Sequence, residues 1–427
     1  MNRPYLAWYV PLVLLAVLPV GVRVLGWRTP HSEPVDPAMA EEGRTLFFHQ
    51  WKANDPLANG GDGIGPVFNA NSCLACHNQG GPGGGGDLEH NVTNFVVRSV
   101  SDGSALSEGV VHSQAVTPQF QETLRQVNVN LPAQARPTLA SLRAISQGDG
   151  CHQDRFPPGV HISQRNTPAL FGAKLIDEIP ERVIIAGERA QRLKWGLAPA
   201  DGEDLPVGRA LRLANGHIGR FGWKAQIASL SDFVQTACAN ELGLSNPDHP
   251  QPSPLGKPDY RPTSLDLTLD QCSQLTAFVG SLPRPVVRLP EDSAAREQAQ
   301  AGKVLFKNIG CADCHTPDLG EVEGLYSDLL LHNMGQPLVG GGSYGEPPVE
   351  LSRFKPGKGP LPGEWRTPPL WGVADSAPYL HDGRAPDLKS AILQHSGQGA
   401  RSAARFKELP AAEQQGVIAF LNTLRTP

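Results

Sequence analysis

Two short stretches carry the same reactive groups in the same order. Cys73, Cys76 and His77 stand in "CLACH", and Cys311, Cys314 and His315 stand in "CADCH". Two thiols three residues apart on a tight helical turn can each add to one vinyl group of a haem. The histidine that follows then reaches the iron from the same side and becomes its proximal ligand. Thioether attachment keeps such a cofactor in place outside the cell. A single copy would also suit a redox dithiol, and zinc would need four ligands arranged differently. Two copies point to two covalently bound haem c groups, with His77 and His315 on the irons.

The surrounding sequence must position these motifs. "AEEGRTLFFHQW" precedes the first and "QAQAGKVLFKNIG" the second, and each reads as a helix followed by a glycine-containing approach. The segment "GSLPRPVVRLPED" (280–292) reads as a linker, with a fresh helix over 293–306. The chain ends in "PAAEQQGVIAFLNTL", an amphipathic helix with Val417, Ile418, Phe420 and Leu421 available for packing. The expected architecture is mainly α, with two cytochrome c-type haem domains. The N-terminal one (31–285) contains a large loop-rich insertion, and the C-terminal one covers 286–427. The abundance of Gly (46) and Pro (40) predicts many loops and short helices. "GGPGGGG" (80–86) lacks the Lys-Ser/Thr of a phosphate loop and reads as a close-approach loop beside the first haem.

Arg3 is followed by an uncharged run, Tyr5–Val22, which reads as an export signal. The run is long for a signal core, and no small-x-small cleavage site precedes Arg23. Residues 1–30 are therefore either a cleaved signal peptide or a retained anchor. Either form places the remainder in a periplasm, free or attached to the inner membrane. A net charge of −5 and the lack of a basic cluster exclude a nucleic-acid partner. Cys151, Cys238 and Cys272 remain. In an oxidising compartment the default is one disulfide and one spare thiol, with all three pairings open.

Several longer stretches carry a resemblance. These are "NDPLANGGDGIGPVFNANSCLACH", "RNTPALFGAKLIDEIPE", "GRFGWKAQIASL", "GCADCHTP", "YSDLLLHNMG" and "RTPPLWGVADSAPYLHDGRA". Together they make the chain resemble the bacterial di-haem oxidoreductases related to di-haem cytochrome c peroxidases. The nearest branch is described as peroxidases or thiol oxidoreductases. The resemblance implies a peroxidatic N-terminal haem and a six-coordinate C-terminal haem that receives electrons. The distal ligand of the latter lies fourteen residues after the histidine of "PYLHDG", His381, which places it at His395. Peroxidases carry methionine there, and the enzyme that matures methylamine dehydrogenase carries tyrosine. The local pattern agrees: Leu388, Ile392 and His395 are spaced i, i+4, i+7 on one helix face, with Pro386 in the first turn. A solvated histidine near a helix end is the plain alternative. His381 would help organise the region between the haems. Met39 and Met334 are the remaining methionine candidates in the exported part.

The resemblance also implies a proton-shuttling carboxylate at Glu241 in "NELG", with Glu178 as rival, in a stretch shorter than in typical peroxidases. Trp223 falls on the electron path between haems, or is a core aromatic. Arg366 falls near the interhaem region, where it could pair with a propionate. His90 is either a removable distal ligand or an exposed loop residue. Ser376 and Pro378 match positions whose backbone oxygens bind an interdomain calcium. The implied function is reduction of hydrogen peroxide with electrons from a small cytochrome c or cupredoxin. The alternatives are a two-haem electron carrier, and an oxidase that acts on a partner protein or organic molecule through high-valent iron.

Overall fold

Asp36 caps the first described helix, Pro37–Phe48. Its carboxylate accepts from the Ala38 amide at 2.9 Å, and Pro37 fills the first helical position, where a missing N–H costs little. The structure, a computed structural model, describes residues 34–99, 105–136, 159–196, 205–262, 264–341, 344 and 359–427. The leader expected over 1–30 and Cys151 lie outside them. Among the described residues no helix is long and apolar enough to cross a membrane.

Helix Pro37–Phe48 packs across helix Leu269–Ser281, and helix Ser293–Asn308 packs across helix Ala411–Leu421. Both crossings are made by glycine. A Cβ on Gly43 would stand 1.8 Å from the Gln274 carbonyl oxygen, and one on Gly302 would stand 1.8 Å from that of Gly416. Only hydrogen fits at either point, so the two backbones can touch. One turn further on, Phe47 packs on Phe278 with centroids 4.9 Å apart, and Phe306 packs on Phe420 at 5.4 Å. The helices expected before each motif and at the C-terminus are therefore present. The proline-rich connection between the two pairs is tied down, because Val286–Val287 pairs antiparallel with Leu424–Arg425. The boundary expected at 285/286 falls within it, and both pairs belong to one unit, Val35–Pro427.

The insertion is more ordered than its loop-rich sequence implied. Strands Ala105–Val111, Val92–Arg98 and Val160–Arg165 form a three-stranded antiparallel sheet with Val92–Arg98 at its centre. Phe95 on the central strand is buried with Val111, Leu124 and Leu131 in a small separate core. A second pairing, Val67–Phe68 with Gln114–Ala115, brings Asn69 next to Ser113. The frame is helical, but these strands deliver residues 69 and 165 to the sites described below.

Candidate active site: two cavities and a shared wall

Each motif closes in the same way. The amide of His77 donates to the Cys73 carbonyl at 3.0 Å, and that of His315 to the Cys311 carbonyl at 2.9 Å. Ser72 caps the first turn, its hydroxyl accepting from Ala75 N–H at 3.1 Å. This single turn holds both sulfurs and the imidazole together. Cys73, Cys76 and His77 line a cavity of about 110 Å³, and Cys311, Cys314 and His315 line one of about 310 Å³.

Both motif histidines have one ring nitrogen engaged and the other free. His77 Nδ1 lies 3.2 Å from the Gly84 carbonyl and His315 Nδ1 3.0 Å from the Tyr326 carbonyl. A carbonyl can only accept, so Nδ1 carries the proton and the lone pair sits on Nε2. Gly84 belongs to the glycine-rich loop, which thus lies against the His77 ring. Burial pushes both imidazoles down to about 4, keeping them neutral and free to coordinate. Burial also pushes the Cys73, Cys76 and Cys311 thiols up to about 12. The donors and the apolar linings fit two haem groups.

The larger cavity has a second imidazole. Leu388, Ala391, Ile392 and His395 share its lining, the helical stripe expected from the sequence. His395 Nδ1 is 2.8 Å from the Ala391 carbonyl, which again leaves Nε2 free. The helix is shorter than expected, Leu388–Leu393, and Pro386 lies before it. Asp387 takes the cap, its carboxylate accepting from Ser390 N–H at 2.7 Å, and His395 lies just past the last turn. Met334 also lines this cavity, and its methyl lies beside Gly399 next to His395.

The smaller cavity has a carboxyl group instead. Val234, Ala237, Cys238, Glu241 and Leu242 on helix Leu230–Leu242 face it in one stripe. Glu241 Oε2 accepts from Asn69 Nδ2 at 2.9 Å. Asn69 cannot flip, because its Oδ1 accepts from Ser113 N–H at 3.0 Å. Glu241 Oε1 is buried without a hydrogen-bond partner of good geometry, although the Tyr344 phenol lines the same cavity. Burial raises the carboxyl above the usual carboxylate range; the Asn69 and Tyr344 contacts and the charges of His112 and Arg136 oppose it. Behind it, His112 and Glu122 form a buried pair at 2.9 Å, and His112 Nε2 lies 3.0 Å from the Asn240 carbonyl.

The rival carboxylate does not reach either cavity: Glu178 pairs with Lys174 at 2.6 Å on the surface of a short helix. His90 lines the smaller cavity, with Nδ1 2.7 Å from Asp87. The expected disulfide is not formed between Cys238 and Cys272, which are free buried thiols; Cys238 faces the smaller cavity instead. Cys314, Asp328 and His332 cluster closely enough to suggest a metal. Their donors are already used. His332 Nε2 meets Asp328 at 2.9 Å, Asp328 also accepts from Gln191 at 2.7 Å, and Cys314 belongs to the attachment motif.

The two cavities share a wall. Asn166, Thr167, Pro168, Gly222 and Trp223 line both. Trp223 is fixed in it by Nε1–H donation to the Asn166 carbonyl at 2.8 Å. Arg366 donates its backbone amide to the Trp223 carbonyl and Nε–H to that of Gly222, both at 2.9 Å. His381 stacks on Trp365 with centroids 3.7 Å apart, and its carbonyl accepts from Asn166 N–H at 2.7 Å. His381 is thereby tied to Asn166 of the wall. Ser376 and Pro378 line the larger cavity nearby. Asn69, His112, Arg165 and Tyr344 were not singled out by sequence. Asn69 and Arg165 had a signal, since they fall within the stretches "NDPLANGGDGIGPVFNANSCLACH" and "RNTPALFGAKLIDEIPE".

Comparison with known proteins agrees with these contents. Residues 140–424 match the family described as "Di-haem oxidoreductase, putative peroxidase". The chain is 28% identical over 162 residues to methylamine utilization protein MauG of Methylorubrum extorquens, covering 36% of this chain and 41% of that one. It is 29% identical over 157 residues to cytochrome-c peroxidase IdrP2 of Pseudomonas sp. strain SCT, covering 31% and 41%. It thus spans about two fifths of the length of these curated relatives. A crystal structure of a variant of the diheme peroxidase BthA from Burkholderia thailandensis E264 aligns over 91% of this chain and 86% of that one, at 14% identity and a TM-score of 0.39. With most of its length matched by the family description, and with two C-x-x-C-H motifs opening on adjoining cavities, the chain belongs to the di-haem oxidoreductases.

Proposed function

We propose that the protein is a periplasmic di-haem c-type enzyme that reduces hydrogen peroxide with electrons from a small cytochrome c or cupredoxin. Cys73 and Cys76 would hold one haem by thioethers, with His77 as an iron ligand. Cys311 and Cys314 would hold the other, with His315 and His395 as its ligands. When bound, the haems supply irons that exchange single electrons and, at an open coordination position, a site for peroxide cleavage. The chain's own groups direct that chemistry. Glu241 Oε1 takes the proton from one peroxide oxygen and returns it to the other, which leaves as water, while Asn69 holds Oε2 still. Electrons enter on the His315/His395 side and cross the wall at Trp223 to the His77 side. Each peroxide consumes two electrons and two protons and yields two waters. A calcium ion on backbone oxygens of Ser376 and Pro378 would brace the wall. The uncharged run after Arg3 supports export.

The observation that carries this reading is the buried carboxyl group of Glu241 lining the smaller cavity, where the larger one offers a second imidazole. Glu241→Gln should lower peroxide turnover by about 10²–10⁴-fold, the usual worth of a positioned acid–base group. The wild type should lose activity in acid at a higher pH than an ordinary glutamate would dictate. The raised carboxyl is protonated, and unable to accept a proton, until pH exceeds its shifted value. That acid limb should vanish in the variant. A protein that is low-spin throughout and inert to peroxide would be an electron carrier instead. Peroxide consumption without any small donor would mark an oxidase.

A further inference from the structure

Two arginines in the shared wall lack the anion that their burial calls for. Arg165 is 7% exposed and Arg366 8%. Arg165 donates from Nη1 to Ser163 Oγ and the Gln164 carbonyl, both at 2.9 Å, and from Nη2 to the Gly341 carbonyl at 3.2 Å. Arg366 donates from Nε to the Gly222 carbonyl at 2.9 Å and from Nη1 to the Thr367 carbonyl at 3.4 Å. Every acceptor is neutral. Less buried arginines elsewhere do find carboxylates: Arg209 meets Glu364 at 2.5 Å and Arg212 meets Glu188 at 2.8 Å. Among the described residues, neither wall arginine forms an ion pair with a carboxylate. Burial lowers Arg165 to about 9 and Arg366 to about 10, with only Asp382 and Asp328 acting against it. A charge buried without a counter-ion is costly, so such a group points to an anion that completes the site.

Position says which anion. Arg165 lines the smaller cavity and not the larger; Arg366 lines the larger and not the smaller. Each therefore faces one prosthetic group, and each haem carries carboxylates as its only anionic substituents. Arginine's planar fork suits them. We propose that Arg165 binds a haem propionate in the smaller cavity, the counterpart of the pairing that the resemblance implied for Arg366 in the larger, so that both prosthetic groups turn their anionic edges to the wall that holds Trp223. The proposal rests on the haem reading above and makes these arginines cofactor-binding and potential-setting residues. A cation on a propionate removes negative charge near the iron and so favours the reduced state. Losing it favours the oxidised state.

The test is a spectroelectrochemical titration of holoprotein without peroxide, with mass analysis to establish that both haems are attached. The His315/His395 haem is identified by its low-spin spectrum. Arg165→Gln should disfavour reduction of the other haem by about tenfold, ~59 mV for a one-electron couple, and leave the His315/His395 haem in place. Arg366→Gln should do the reverse. Arg165→Lys, which keeps the charge but not the fork, should give a smaller shift at the same haem. If Arg165→Gln does not accumulate with both haems, the lysine variant is read alone. Unchanged potentials, or a larger shift at the wrong haem, would overturn the assignment. Inertness of the wild type to peroxide would count against the enzymatic reading only, since these potentials need no turnover.

Discussion

The two halves share a frame and differ in what they set beside the attachment motif. In each, a leading helix crosses a closing helix through glycine, Gly43 or Gly302, and a phenylalanine one turn later packs near the motif histidine. Phe47 lies 6.3 Å from the His77 ring and Phe306 6.4 Å from that of His315. Each motif histidine gives its Nδ1 proton to a carbonyl. Each half also carries a buried histidine–carboxylate pair at 2.9 Å, His112–Glu122 and His332–Asp328. Beyond this the halves part. The larger cavity receives His395 from a short capped helix, whereas the smaller receives Glu241 and the strands that hold Asn69. A common scaffold surrounds each motif, and the remaining wall sets an imidazole beside one and a carboxyl group beside the other.

Breaking a buried pair should have the largest effect on stability. His112→Ala leaves Glu122 buried without its cation and should cost about 3–5 kcal/mol, read by denaturant melts of the holoprotein. The absorption of the His315/His395 side should not change, because His112 does not line that cavity. Burial alone would lower His112, but the Glu122 charge and hydrogen bond raise it above its ordinary value. Its contribution is therefore full below about pH 6.5 and is lost as pH rises through the raised value. The gap in Tm between wild type and variant should narrow in alkali. A gap that widens there would remove the ion pair from the account.

The helix crossings come next. Gly43→Ala and Gly302→Ala each push a methyl into a backbone carbonyl, and each should cost about 1–3 kcal/mol, the usual range for overpacking. Equal losses would support the equivalence of the two frames. A cost at one crossing only would mean that one half tolerates its helices moving apart. The smallest effect is expected at Met334. Met334→Leu should leave the low-spin spectrum of the larger site as it is, whereas His395→Ala should convert it to high-spin. The opposite pattern would transfer the ligand role to the methionine.

Local patterns in the sequence were readable because local chemistry produces them. The two C-x-x-C-H turns, the helices leading into them, the closing helix and the stripe Leu388–Ile392–His395 all depend on residues within a few turns of one another. Glu241 was singled out through resemblance, and the stripe Val234–Ala237–Cys238–Glu241 points to the same cavity-lining face. What escaped notice depends on distant partners. Asn69 matters because a two-residue strand pair sets it against Ser113. Arg165 matters because a strand separated from its neighbour in the sheet by dozens of residues ends at the wall. The disulfide expectation failed at Cys238 and Cys272 because a rule about compartment says nothing of direction, and Cys238 turns towards the smaller cavity. Pro386 was read one step too far into its helix because Asp387 is the better cap.

The wall around Trp223 is a single layer of side chain and backbone serving two chambers at once. A substitution at Asn166 or Gly222 made to retune one chamber will be felt in the other, so neither can be redesigned alone. Engineering that seeks independent control of the two sites has to work from their outer faces, at the Asn69–Glu241 contact on one side and the Leu388–His395 segment on the other.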